Sequence, residues 1–276
     1  MDRTHPAAAP PAADTLVYVY AVAQPTEALT EHVGSLGGLG APPRLVPLPG
    51  HDDLAAVVAD VPADSFGTDA LKAQLEDLDR LEALARAHHG CVDAAATLAT
   101  VLPLRLTTVY VDDARVAEML AVNAPAFRRA LRLLADQVEV GVKVYADPSA
   151  APAAPEAPPA EARGPGRDYL RRRRAHRDRH ADTYRAAGDV AGHAGELAAA
   201  YATAHVPHRL QQGALGAARG ENVLNDAYLV PRAHVERFAA ELAHLRAAPG
   251  VTVEVTGPWV PYSFTEWAQT PPEGAP

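Results

Sequence analysis

Gln137-Val138-Glu139-Val140-Gly141-Val142-Lys143-Val144-Tyr145-Ala146 is the stretch on which the plan of this chain turns. Four valines alternate with Glu139, Gly141, Lys143 and Tyr145, the period-two pattern of a strand with one buried face. Such a strand needs partners, and the segments able to pair with it lie downstream. From about Gly166 a long helix runs to about Ala204, limited by the residue before Pro207. Val206–Gln212 and Asn222–Val230 follow as strand candidates. Pro231 opens a helix to about Ala247, with Val235, Phe238, Leu242 and Leu245 on one face. Pro249-Gly250 turns the chain into Val251–Thr256, where Val251, Val253 and Val255 alternate. The order strand, helix, strand, strand, helix, strand is the ferredoxin-like split βαβ plan. The Ala/Pro-rich run 147–165 then becomes a solvated loop inside a domain covering 136–265.

Upstream, 14–135 reads as a separate α/β-type domain of mixed helix and strand. Asp14–Ala23 (DTLVYVYAVA) is a strand buried on both faces or nearly so. Arg44–Leu48 and Leu54–Asp60 flank Pro49-Gly50 as a hairpin-like pair. Asp69–His88 has a helical period, with Leu71, Leu75, Leu78, Leu81 (or Glu82) and Ala85 on one face and an interruption at Gly90. Val92–Thr100 is a second short helix or a continuation. Val101–Val111 reads as strand or extended. Asp112-Asp113 caps a helix to about Asn123, and Pro125 starts another to about Leu134. The ends, 1–13 and 266–276, read as disordered tails. The whole is thus an α+β chain of two domains.

Bulk composition narrows the function classes. A net charge of -9 argues against nonspecific nucleic-acid binding. The single cysteine, Cys91, excludes an internal disulfide framework and fits a reducing compartment. No segment has the length and apolarity of a membrane span, and Met1–Asp14 is not a signal peptide.

No catalytic, cofactor or metal constellation emerges. His176 and His180 lie four apart on a predicted helix but flank Arg-Asp-Arg, which opposes a bound cation. His88-His89-Gly90-Cys91 reads as a helix C-terminus, with His near the dipole and Gly as cap. The glycines of 34–40 fit no nucleotide-binding frame and read as a flexible connection. Cys91 has no sequence context for a nucleophile.

Two features remain. The first is the basic run: Arg171, Arg172, Arg173 and Arg174, then Arg177 and Arg179. Only Ala175 is apolar between Arg171 and His180, so this end of the helix projects into solvent or onto a partner. A seam of Ala181, Tyr184, Ala191, Ala194, Leu197, Ala198 and Tyr201 packs the rest on its sheet. Arg171, Arg172, Arg174 and Arg177 are the candidate partner-binding residues. The second is Gly257-Pro258-Trp259-Val260-Pro261-Tyr262-Ser263-Phe264, an aromatic run in a chain with two Trp and four Phe. It follows directly on the last strand, and its expected task is to fold back and seal that domain, with Trp259 and Tyr262 as a lid.

Several segments together resemble the gas vesicle protein family GvpL/GvpF. Leu16–Tyr20 is similar to its opening strand, Val101–Arg105 to its P-x-R motif, and Val140–Tyr145 to its W-G-V-K-V strand, with Val140 where Trp is common. Gly166–Leu170 resembles its G-x-x-Y-L helix start, and Leu224–Val230 its L-N-x-A-[FY]-L-V strand. Thr256–Phe264 matches its closing T-G-P-W-x-P-Y-S-F pattern. The resemblance covers about 14–264. It singles out Arg105, Asn225, Tyr228, Trp259 and Tyr262 as motif residues. Their plain structural roles are an ion pair for Arg105, a strand-edge hydrogen bond for Asn225, and burial for Trp259 and Tyr262. The resemblance implies a non-enzymatic, cofactor-free accessory or minor structural protein of gas vesicles, located in the vesicle and cytoplasm. Its implied partners are the hydrophobic shell protein GvpA and other accessory proteins, with no nucleic acid and no membrane. The family fold it implies is two α+β domains with a ferredoxin-like arrangement and a long helix in the second. The rival readings are an enzyme on a ferredoxin-like scaffold and a nucleic-acid binder using the arginine run.

Overall fold

A computed structural model of the chain describes residues 15–151, 165–211, 219–245 and 249–265. The expectations for 1–13, 152–164 and 266–276 lie outside the described residues. The chain divides into two compact units, one running up to Ala135 and taking in Thr265, the other spanning Asp136–Phe264.

The first unit is built around β1 (Thr15–Ala23), which is buried continuously from Val17 to Ala23. Helix α1 (Glu27–His32) follows, capped by the Thr26 hydroxyl, which accepts from Leu29 N at 3.1 Å. Strands β2 (Arg44–Pro47) and β3 (Ala55–Pro62) form an antiparallel hairpin, and β3 pairs with β1 from Thr15↔Pro62 to Ala23↔Ala55. Short helix α2 (Ala63–Phe66) leads into α3 (Thr68–Glu76) and α4 (Leu78–Leu98). Strands β4 (Val101–Pro103) and β5 (Val109–Tyr110) pair with the other side of β1, and α5 (Asp113–Leu134) closes the unit. Every pairing is antiparallel, in the order β2-β3-β1-β4 with β5 beside β1. The α/β-type expectation, which carries a parallel sheet, is therefore corrected for this unit. The turn at Pro49-Gly50, with Gly50 at φ 76°, reverses the chain without the helical crossover that a parallel pair requires.

Two helix boundaries also differ from the sequence reading. The break falls at Asp77, not Gly90. Asp77 leaves helical backbone (ψ 112°) and its carboxylate accepts from Asp79 N and Arg80 N, capping α4. The buried face of α4 is Leu84, His88, Cys91, Val92 and Ala95, while Leu75 and Leu78 are exposed. Helix α5 runs through Pro125 unbroken, because Val116, Leu120, Ala124, Phe127, Leu131 and Leu134 keep one buried face across it. The lost backbone bond is outweighed by burial on both sides of the proline.

The second unit starts with β6 (Gln137–Ala146), whose Val138, Val140, Val142 and Val144 are buried. Helix α6 (Pro165–Tyr201) is 37 residues long. It is followed by β7 (Ala204–Pro207), β8 (Glu221–Pro231), α7 (Val235–His244) and β9 (Val251–Trp259). The strand order is β7-β8-β6-β9, antiparallel throughout. Helices α6 and α7 cover one face. There Ala187, Val190, Ala194 and Ala198 meet Val140, Val142, Val144 and Tyr228, with Phe238 and Leu242 of α7. The seam on α6 is thus Thr183, Ala187, Val190, Ala194 and Ala198, at i, i+4, i+7, i+11 and i+15; Ala181 is exposed.

The outermost strands of both sheets carry prolines. Strand β2 ends on Pro47, β4 on Pro103 and β7 on Pro207, and β9 includes Pro258.

Candidate interaction surface

Helix α6 is longer than the sheet it packs on. At 1.5 Å per residue it measures about 55 Å, whereas a ten-residue strand spans roughly 33 Å. Its buried seam begins at Thr183, and residues 169–182, about 21 Å of helix, contribute nothing to that seam. Residues 169–182 are exposed except for Arg179, which is half-buried. Tyr169 and Leu170 are large exposed apolar groups beside the arginines. This places Arg172, Arg174 and Arg177 on the projecting segment, with Arg171 beside them. His180 stacks on Tyr184 at 4.9 Å, and its ring lies 6.4 Å from that of His176. Among the described residues no group of three or more His, Cys, Asp or Glu is placed to hold a metal.

The closing octet does not act as the expected aromatic lid at Trp259, whose side chain is 54 % exposed at the end of β9. Gly257, at φ 107°, faces Glu139; a Cβ there would lie 2.6 Å from the Glu139 carbonyl oxygen. Beyond β9 the chain turns, with Tyr262 N donating to the Val260 carbonyl at 2.8 Å. It then crosses the sheet face opposite the helices. Ser263 donates to both carboxylate oxygens of Glu139 on the central strand β6, from N at 2.9 Å and from Oγ at 2.7 Å. His208 Nε2 reaches the same Ser263 Oγ at 3.0 Å. Phe264 is buried and Tyr262 is half-buried. The polar clasp at Ser263 is what holds the segment, and nothing in the residue pattern alone pairs it with Glu139. The Ser263 hydroxyl proton goes to Glu139, so the group is held as a tether and not activated by His208.

Trp259→Ala is therefore expected to change the unfolding free energy by less than about 1 kcal/mol. A loss of about 3 kcal/mol in urea denaturation would instead mark Trp259 as a core residue.

The remaining motif residues are structural in their contacts. Arg105 is exposed and makes no ion pair among the described residues, which corrects the ion-pair expectation; its carbonyl accepts from Thr108 N and Oγ1 in the turn before β5. Asn225 Nδ2 donates to the Arg209 carbonyl at 2.7 Å, while its own carbonyl accepts from His208 N at 2.8 Å. Tyr228 is buried, and its hydroxyl donates to Asp226 Oδ2 at 3.2 Å. Burial raises the Tyr228 pKa first and the neighbouring Asp226 charge adds to it, so the hydroxyl keeps its proton. His205 stacks on Tyr228 at 5.5 Å and places Nε2 3.3 Å from the same Asp226 oxygen. These three side chains floor a groove of about 290 Å3 between the second half of α6 and β7. Asp226 and His205 were not anticipated from the sequence, because strand alternation brings 205, 226 and 228 together only once β7 pairs with β8.

In the first unit, His88 is in the core rather than at a helix end. Its Nδ1 lies 2.9 Å from the Tyr18 hydroxyl, which also accepts from Thr107 N at 3.2 Å. The glycine-rich 34–40 loop is pinned rather than free, since Leu39 N donates to the Tyr20 hydroxyl at 2.6 Å. Cys91 is buried, and burial holds its thiol in the neutral form by raising its pKa to about 12.

Two antiparallel sheets with helices in this order are also found in solved GvpF structures. The crystal structure of GvpF from Anabaena sp. PCC7120 superposes with a TM-score of 0.60 at 16 % identity, over 91 % of this chain and 96 % of that one. GvpF from Microcystis aeruginosa gives 0.58 at 14 %, over 91 % and 99 %. The chain belongs to the gas vesicle synthesis protein GvpL/GvpF family, whose model matches residues 16–266. It is 46 % identical to gas vesicle protein L of Streptomyces sp. (strain CB03234) over 258 residues, covering 93 % of this chain and 95 % of that protein. It is 30 % identical to gas vesicle protein F of the same strain, over 90 % and 99 %. Among the described residues no helix is long and apolar enough to cross a membrane.

Proposed function

We propose that this protein is a non-enzymatic cytoplasmic assembly factor or minor structural component of gas vesicles that binds the hydrophobic shell subunit GvpA. Family membership over nearly the whole chain is the observation that carries this reading. The higher identity to the L protein than to the F protein of one strain supports a place on the L branch. The βαββαβ order and the β7-β8-β6-β9 arrangement support a ferredoxin-like second domain over 136–265, following an α+β domain over 14–135. The projecting end of α6, with Arg171, Arg172, Arg174 and Arg177, is the surface offered to vesicle proteins. Its exposure, and the lack of apolar residues along it, support a role outside folding. Asn225, Tyr228 and Tyr262 act through the fold, whereas the exposed Arg105 and Trp259 are side chains open to a partner.

Deleting the gene is expected to abolish or misshape vesicles, and the purified protein is expected to bind the purified shell subunit. Normal vesicles in a clean deletion lacking a substituting paralogue, together with no binding to the shell subunit, would overturn the reading.

A further inference from the structure

The groove beside α6 has a chemistry of its own. The Asp226 side chain is only 13 % exposed, yet among the described residues no lysine or arginine pairs with it. Its Oδ2 takes both the Tyr228 hydroxyl and His205 Nε2, and no described donor reaches Oδ1. A carboxylate so little hydrated gains strongly from a cation that arrives with its own hydrogen-bond donors. The walls are small and apolar, with Ala191, Gly195, Ala198 and Ala199 from α6. About 290 Å3 lies just under the range of small-molecule sites and admits one or two long side chains. An aliphatic stem along alanine methyls and a cationic head on Asp226 together suit an arginine.

The chain itself supplies such arginines. Helix α6 is polarised along its length: Arg171–Arg174, Arg177 and Arg179 lie in the stretch outside the buried seam. From Ala186 to Ala204 there is no Lys or Arg, and the carboxylates are Asp189 and Glu196. The arginines thus lie at one end of α6, and the other end walls the groove that holds Asp226 of β8. Two copies related by a two-fold axis, with their α6 helices antiparallel, set each arginine-rich end beside the other's groove and make the contact twice.

We propose that this protein pairs with a second copy of itself, the arginine-rich end of α6 from one copy docking in the Asp226 groove of the other. The proposal rests on the reading of that helix end as a contact surface, and adds what it contacts. Pairing shields the arginines, so a vesicle partner that uses them must compete with the second copy.

Sedimentation equilibrium of the full chain tests this. At about 50 mM salt a dimer is expected, and it should weaken at least about tenfold near 500 mM as the charges are screened. Asp226→Asn and the pair Arg172→Glu/Arg174→Glu should each weaken it about tenfold or more, with their effects less than additive when combined. Circular dichroism melts check that each variant folds, and the arginine pair lies on exposed helix where folding is not at stake. A monomer up to about 100 µM at low salt, or a dimer that either variant leaves within about twofold, would overturn the pairing; so would full additivity. Shell-subunit binding measured on the same samples separates the two ideas: a strictly monomeric chain that still binds the shell subunit removes the pairing alone.

Discussion

Phe238→Ala is expected to cost about 3–5 kcal/mol of unfolding free energy, the range for removing a buried aromatic ring. Phe238 is 0 % exposed on α7. Its ring lies 5.7 Å from that of Tyr201 on α6 and meets Tyr228 of β8 edge-on at 5.9 Å. It therefore joins both helices to the sheet, and alanine leaves a cavity that three separate elements must close in order to relax. Hydrogen exchange at the amides of β6 and β8 is the measurement. Protection there should collapse in Phe238→Ala and be largely retained in Phe238→Leu, which keeps most of the volume. A loss under about 1 kcal/mol for the alanine variant would mean that the helices do not depend on this ring.

Acid should destabilise the first unit through His88. The ring is fully buried, and burial is the largest cause lowering its pKa from 6.5 to about 4. The neighbouring His89 lowers it further, against a smaller opposing effect of the Leu104 backbone. The ring's Nδ1 and the Tyr18 hydroxyl share a hydrogen bond at 2.9 Å, and either group can supply its proton. The unfolded chain takes up a proton near pH 6.5 whereas the folded chain does not until about pH 4. Stability is therefore full above pH 7, falls as the pH drops through 6.5 towards 4, and levels off below that. The total loss is on the order of 3 kcal/mol. His88→Gln should flatten the slope between pH 7 and pH 5 whatever it costs at neutral pH, since few carboxylates titrate there. An unchanged slope would show that His88 is not the group responsible.

The second unit was the more legible part of the sequence. The alternation in β6, the amphipathic face of α7 and the Pro and Gly punctuation are local signals, and each element forms close to where its pattern lies. Errors arose where a tertiary contact overrode a local one. Gly90 has the residue type of a helix stop, but the apolar row Leu84, His88, Cys91, Ala95 continues through it, and packing on β1 prevails. Pro125 has the residue type of a helix start, but the buried row of α5 spans it in the same way. His88 was misread because its hydrogen-bond partner lies 70 residues away. On the interaction surface, the exposure of the arginine run follows from its lack of apolar residues. The Asp226 groove and the Ser263–Glu139 clasp follow from strand pairing and chain reversal, which no residue spacing encodes.

The prolines on the outer strands bear on how this protein meets others. An unbroken outer strand is a template: its spare N–H and C=O groups let another chain add to the sheet, whatever that chain's side chains are. Here the outer strands are short or carry a proline, a residue with no backbone N–H to offer a newcomer. Recognition by backbone extension, which is tolerant of sequence, is thereby discouraged, and selectivity passes to side chains. A protein built this way can work beside strand-rich, self-associating neighbours without being drawn into their lattice as one more strand.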